Sequence, residues 1–180
     1  MNRAKAALMA AILILTAVLC VGRVNAQGAK PDAKVAQANA PHLQFVFEEY
    51  VTLGAAIHPG ATPYGDRNIV PITGGAFFGP KIRGKVMPEG WDWQLSTKSG
   101  CHSVHANYFL KADDGTVINI INAGTFCTGA GKNFKIFTTP KFEAPLGPHD
   151  WLNSGAYVGT LDLAKWQGKT AVRIRIYEVQ

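Results

Sequence analysis

Cysteine is scarce in this chain: Cys20, Cys101 and Cys127 are the three in 180 residues, and no two form a CxxC pair. That spacing leaves out zinc-ribbon and dithiol redox sites. Histidine offers little more. His42, His58, His102, His105 and His149 are the five present. His102 and His105 stand three apart and face opposite sides of a strand, and no HExxH accompanies them, so no metal site is expected. The chain also has no GxSxG, phosphate loop or dinucleotide fingerprint, and no cofactor is expected. A concentrated basic stripe is lacking too. Lys81-Ile-Arg83-Gly-Lys85 is the one tight cluster, and its alternation fits a solvated strand face, which argues against nucleic-acid binding.

The single long apolar run is at the start. Arg3 and Lys5 precede an almost wholly apolar stretch from Ala6 to Val21, and Val24-Asn25-Ala26 is a small-x-small site. These are the three parts of a cleaved secretory signal over 1–26. The apolar core is shorter than the roughly 20 residues that span a bilayer, so no lasting membrane insertion is expected. Bulky Val18 and Leu19 before Cys20 suit lipid attachment poorly. Arg3, Lys5 and Arg23 would leave with the signal, taking the net charge from +6 to +3. Residues 27–41 (QGAKPDAKVAQANAP) have no aromatic and few aliphatics, the composition of a flexible tether. Residues 42–180 then form one domain, in the periplasm or outside the cell.

From His42 on, no helical apolar stripe is sustained; period-two alternation and turn residues recur instead. Strands are expected at 43–48, 51–57, 68–73, 76–78, 81–86, 91–95, 133–138, 156–163 and 170–179, with one short helical turn at Asp162–Gln167. The last strand is the clearest, with Val172, Ile174 and Ile176 on one face and Arg173, Arg175 and Tyr177 on the other. Nine or ten short strands imply a sandwich or a closed antiparallel β-barrel. Glycines inside strand regions (Gly54, Gly74, Gly75, Gly84, Gly124, Gly159) suit the bends and bulges that curving a sheet requires, which favours the barrel.

Cys101 and Cys127 lie at equal distance from Asp114, with a turn signal, Ala112-Asp-Asp-Gly115, between two β-rich segments. A three-residue loop at 113–115 pairs positions whose numbers sum to 228 and sets the cysteines opposite each other. Such neighbours lie about 4.5 Å apart at Cα, within disulfide range. One disulfide is expected, in an oxidising compartment. The even-numbered face carries His102, Val104, Ala106, Tyr108 and Leu110, opposite Phe126, Gly124, Asn122, Ile120 and Ile118. That face is mostly apolar and is expected to point inward.

Four segments in order are distinctive: TPYGDRNIVPITGGAFFGPKIRGKVMPEGWDW (62–93), NYFLKADDGTVINIINAG (107–124), FTTPKFEAPLGPHDWLNSGAYVG (137–159) and the closing YEV (177–179). Together they resemble the bacterial and fungal family called domain of unknown function 3237. The resemblance covers about residues 43–179 and implies an antiparallel lipocalin-like barrel, with no activity attached. It favours Arg67 as a functional arginine. The chain departs from the pattern at Phe137, where the resemblance implies a tyrosine hydroxyl.

The candidate site residues follow from chemistry. Tyr108 and Asn122, if buried, either bond to backbone or mark a ligand cavity. Arg67 either clamps a carboxylate or pairs with an exposed acid. In Trp91-Asp92-Trp93, either the tryptophans line a cavity, or Asp92 points inward as a base raised by burial. Asp113 and Asp114 read as turn chemistry. Glu143, Trp151 and Asn153 fall in or beside a Pro/Gly-rich loop, 140–155, at a barrel mouth. Three functions remain open: a barrel binding a small molecule; a cofactor-free acid–base isomerase, lyase or cyclase for a small organic acid or lactone; and an envelope structural or interaction protein. In the enzyme reading Arg67 orients substrate, Tyr108 donates a proton, and Asp92 or Glu143 accepts one.

Overall fold

In a computed structural model of the chain, residues 37–38, 40–127 and 135–180 are described. The expected signal and nearly all of the tether lie outside them. Ten strands are present: β1 (Leu43–Leu53), β2 (Ile57–Thr62), β3 (Gly65–Phe78), β4 (Arg83–Val86), β5 (Gly90–Ser96), β6 (Cys101–Ala112), β7 (Val117–Cys127), β8 (Ile136–Glu143), β9 (Tyr157–Trp166) and β10 (Lys169–Val179). The order β1-β10-β9-β8-β7-β6-β4-β3 is closed by β1 pairing with β3, all antiparallel. This is an eight-stranded barrel with two further strands. β5 continues the β4 position between β3 and β6, while β2 flanks the start of β3.

Closure depends on β3 bending midway. Its first half pairs with β2 and β5, its second half with β1 and β4. At the change of partners, Gly75 has φ 138, and a Cβ there would lie 1.9 Å from the Tyr50 carbonyl oxygen. Only glycine permits that approach.

The β6–β7 hairpin has the expected register throughout, from Cys101↔Cys127 to Lys111↔Val117. Cys101 and Cys127 form a disulfide with Cα atoms 3.9 Å apart. On β10, Ile174 and Ile176 are buried, while Arg173 and Arg175 lie outside and pair with Glu48 and Asp162. Some local expectations fail. Residues 43–53 are one strand rather than two, and Gly65–Phe78 is one strand where 68–73 and 76–78 are expected. Asp162–Gln167 is not helical: β9 runs on to Trp166 and turns through Gln167 (φ 48) and Gly168 (φ 78). Positive φ at both central positions is a hairpin turn usually signalled by Asn-Gly; Gln-Gly hides it.

One end of the barrel is packed solid. Phe47, Phe77, Leu110, Ile118, Ile120 and Ile176 are fully buried there. A short 3-10 helix, Asp150–Asn153, sets Leu152 into this core. The other end is marked by the disulfide, and below it the barrel is hollow. No helix among the described residues is long and apolar enough to cross a membrane.

Candidate functional site

Strand alternation decides what faces the hollow. On β1 the inward row is Phe47, Glu49, Val51 and Leu53, so one carboxyl stands in an apolar series; Glu49 is 0% exposed. On β6 the inward row brings Tyr108 opposite Ile120 and Ala106 opposite Asn122. Tyr108 donates its hydroxyl hydrogen to Glu49 Oε1 at 2.5 Å. Gly90 makes room for this tyrosine, since a Cβ there would lie 2.5 Å from Tyr108 Cβ.

Above Tyr108 lies a cavity of about 170 Å³. Its wall is largely aliphatic, with Val51, Leu53, Leu161, Leu163 and Ile174 prominent. Its polar groups are Asp92, Gln94, Tyr108, Asn122 and Thr138. Asp92 is the inward residue of its triplet. It pairs across the sheet with Val70 and Ala106, whereas Trp91 faces the same side as Pro71 and Asn107. The β5–β6 ladder has rungs at Asp92↔Ala106 and Leu95↔Ser103. Between them the His105 amide donates to Asp92 Oδ1 at 3.0 Å, and Gln94 Nε2 donates to Oδ2 at 2.7 Å. Asn68 Nδ2 donates in turn to Gln94 Oε1 at 2.8 Å. A polar strip thus runs from β3 to β6 along one wall.

The electrostatics follow from burial. Glu49 is pushed up to about 8, because desolvation outweighs the Tyr108 hydrogen bond. Tyr108 is raised well above the usual phenol value by desolvation, then by the charges of Glu49 and Asp92; the Asn122 amide opposes this. Asp92 is raised by desolvation, against the hydrogen bonds from Gln94 and the His105 amide. The buried Glu49 Oε2, Asn122 Oδ1 and Thr138 Oγ1 have no protein partner.

Of the sequence candidates, the structure brings together Tyr108, Asn122 and Asp92. It leaves the others elsewhere. Trp91 and Trp93 are on the outer surface, 39% and 48% exposed, because they alternate with inward Asp92. Arg67 shares the outward side with Leu95, its opposite rung, and its guanidinium reaches the Gln94 carbonyl at 3.4 Å. Glu143 is exposed at the closed end, opposite Asn119. Trp151 packs at that end with the Lys81 ammonium 5.4 Å from its ring centre. Asn153 ties down the loop, accepting from the Ala144 amide at 2.7 Å and donating to its carbonyl at 2.9 Å. Phe137 is on the outer face, 60% exposed, so the absent hydroxyl is not a loss to the cavity. Among the described residues no cluster of three or more His, Cys, Asp or Glu could hold a metal.

Glu49, Gln94 and Thr138 had no place among the sequence candidates. Reading β1 as two strands left Glu49 in the gap between them. One unbroken period-two count from Phe47 to Leu53 puts it on the apolar face, and that is the available signal.

Fold and cavity define an antiparallel β-barrel closed at one end and carrying an acidic, apolar-walled pocket at the other. The chain belongs to the family described as "Protein of unknown function (DUF3237)", which matches residues 41–179. It is similar to a UPF0311 protein of Rhodopseudomonas palustris (strain TIE-1), 29% identical over 130 residues, which cover 65% of this chain and 85% of that one. A solved beta-barrel like protein from Acinetobacter baumannii AYE has TM-score 0.70 and 28% identity, over 78% of this chain and 97% of that one. The structure of an enzyme from Penicillium herquei has TM-score 0.61 and 20% identity, over 85% and 99%, a likeness of fold alone.

Proposed function

We propose that this barrel takes a compact, largely apolar organic molecule into the cavity above Tyr108 and exchanges a proton with it, without a cofactor. The observation that carries the reading is the pairing of Tyr108 with a fully buried Glu49, in a pocket that also contains Asp92. At neutral pH Glu49 is mostly protonated. A neutral carboxyl can donate to the phenol oxygen and turn the phenol hydrogen toward the cavity. The phenol then stabilises an oxyanion forming on a ligand carbonyl. Asp92, held by Gln94 and the His105 amide, takes the proton from the adjacent carbon. A neutral acid and an ionised carboxylate kept apart by their surroundings is a recurring division of acid and base roles. Proton abstraction next to a carbonyl, followed by isomerisation or elimination, is the reaction class.

Cyclohexanone in D₂O with the purified protein tests this. Exchange of its α-protons, followed by NMR, should exceed the buffer rate, fall by about 10²-fold or more in Asp92→Asn, and fall also in Tyr108→Phe. An exchange rate equal to buffer, with cyclohexanone bound, would leave a carrier. That second reading is favoured by one observation: both Asp92 oxygens already accept hydrogen bonds. Export to the periplasm or beyond is part of the proposal, supported by the apolar leader and by the Cys101–Cys127 disulfide. A mature N-terminus at Gln27 by mass spectrometry would agree with it; an intact leader would not.

A further inference from the structure

Two oxygens in the cavity wall have nothing to bond to. Asn122 Oδ1 and Thr138 Oγ1 are each buried and without a protein partner, on residues 3% and 2% exposed. Their strands adjoin. Asn122 of β7 faces Pro140 of β8, so Thr138, two residues along β8 and on the same face, is its diagonal neighbour. Asn122 lines the cavity, and its carbonyl oxygen is the unpartnered atom of its side chain. Gly159 clears space on the far side of Thr138: a Cβ there would sit 2.3 Å from Oγ1, closer than any real contact. The pocket therefore holds one oxygen that requires a hydrogen-bond donor, Asn122 Oδ1, and one hydroxyl, Thr138 Oγ1, that can donate or accept. A buried acceptor left unpaired is costly, so a ligand that supplies the hydrogen is favoured over one that does not.

The charge lining the pocket narrows the ligand further. Among the described residues no lysine, arginine or histidine lines it, Asp92 does, and Glu49 stands behind Tyr108. A carboxylate ligand would enter a low-dielectric space with like charge and no cation among the described lining residues. Arg67, the guanidinium that could have met it, is on the outward side. The volume fits one six-membered ring, since an apolar cavity of about 150 Å³ accommodates benzene.

We infer that the ligand is a neutral, single-ring-sized hydroxy-carbonyl compound whose hydroxyl donates its hydrogen to Asn122 Oδ1 and accepts one from Thr138 Oγ1, and that Thr138 determines this specificity. The placement of the carbonyl at Tyr108 rests on the proposed proton-transfer site; the hydroxyl contact does not.

The test compares binding of cyclohexanone, the 2-, 3- and 4-hydroxycyclohexanones and 4-oxocyclohexanecarboxylate at pH 7 by calorimetry. At least one hydroxy isomer should bind about tenfold or more tighter than cyclohexanone, with the carboxylate weakest. In Thr138→Val, a near-isosteric change, the ratio of hydroxy-ketone to cyclohexanone affinity should shrink to threefold or less. Equal binding of all ketones, which internal water satisfying both oxygens would produce, overturns the inference. So does a carboxylate that binds as tightly as the hydroxy-ketones, or a preference that survives in the variant. Hydroxyl selectivity without α-proton exchange would sink the catalytic reading alone and leave this one standing.

Discussion

Glu49 is the residue on which the site turns, and its burial makes a pH signature that can be measured. An unfolded chain loses this proton near the ordinary value of 4.5, whereas the folded protein keeps it up to about 8. Between those values the folded state binds more protons, so raising the pH through the window favours unfolding. The slope from this one group is about 1.4 kcal/mol per pH unit at most. Below 4.5 the penalty is absent; above 8 it is fully present. Glu49→Gln removes it. The variant is expected to gain stability over the parent progressively from pH 5 to pH 8 in urea titrations, with the difference levelling off above that. Parallel curves for the two proteins would show that Glu49 ionises normally. Residue-scale legibility was uneven here. Tyr108 and Asn122 were readable because a disulfide pair fixed their register. Glu49 was missed because adjacent Glu48 and Glu49 look like a break in a strand, although one of them points out to Arg175 and the other in. Thr138 was hidden differently: its role depends on the proximity of Asn122 and on the space above Gly159, both tertiary facts.

At the scale of elements, the β6–β7 hairpin was the most legible piece, since turn, alternation and cysteine spacing agree on one register. Removing the disulfide should therefore weaken the fold without changing it. For a closed loop spanning the sequence separation of 26 between the cysteines, the chain-entropy model gives about 3.5 kcal/mol. The hairpin is joined by eleven rungs, and any of it that persists in the unfolded chain reduces that figure. The Cys101→Ser/Cys127→Ser protein is expected to unfold at lower urea by about 2–3 kcal/mol, with an unchanged far-UV spectrum. A spectrum that collapses would mean the covalent link, rather than turn and packing, sets the register. The β9–β10 hairpin was less legible. Its Gln-Gly turn lacks the usual asparagine, and Leu161 to Trp166 mixes apolar and polar residues with no clean period, so a helical turn looked as good as a strand. The long β3 is hard to see for a related reason: Gly74 and Gly75 interrupt the side-chain pattern between 68–73 and 76–78, yet they are the bend that lets one strand serve four partners.

For the whole molecule, the division into a solid end and a hollow end follows from where the large side chains fall. Toward the closed end Phe142 meets Phe47 and Tyr157 edge to face, Phe77 packs tilted against Phe47, and Leu152 joins this cluster from the 3-10 helix. The Tyr108–Glu49 pair sits between this core and the cavity, so the two halves should respond separately to mutation. Leu152→Ala deletes a side chain that is 1% exposed. It is expected to lower stability by about 2–5 kcal/mol, the range for a buried leucine whose site collapses only in part. Affinity for cyclohexanone should change less than about twofold, because distant sites with no shared partner act additively. Both quantities come from one preparation, by urea titration and calorimetry. A large loss of affinity with little loss of stability would show that the closed end governs the pocket, and that the loop at 140–155 is part of the binding site after all. The expected result, stability lost and binding kept, would place the function wholly in the half of the barrel that the disulfide encloses.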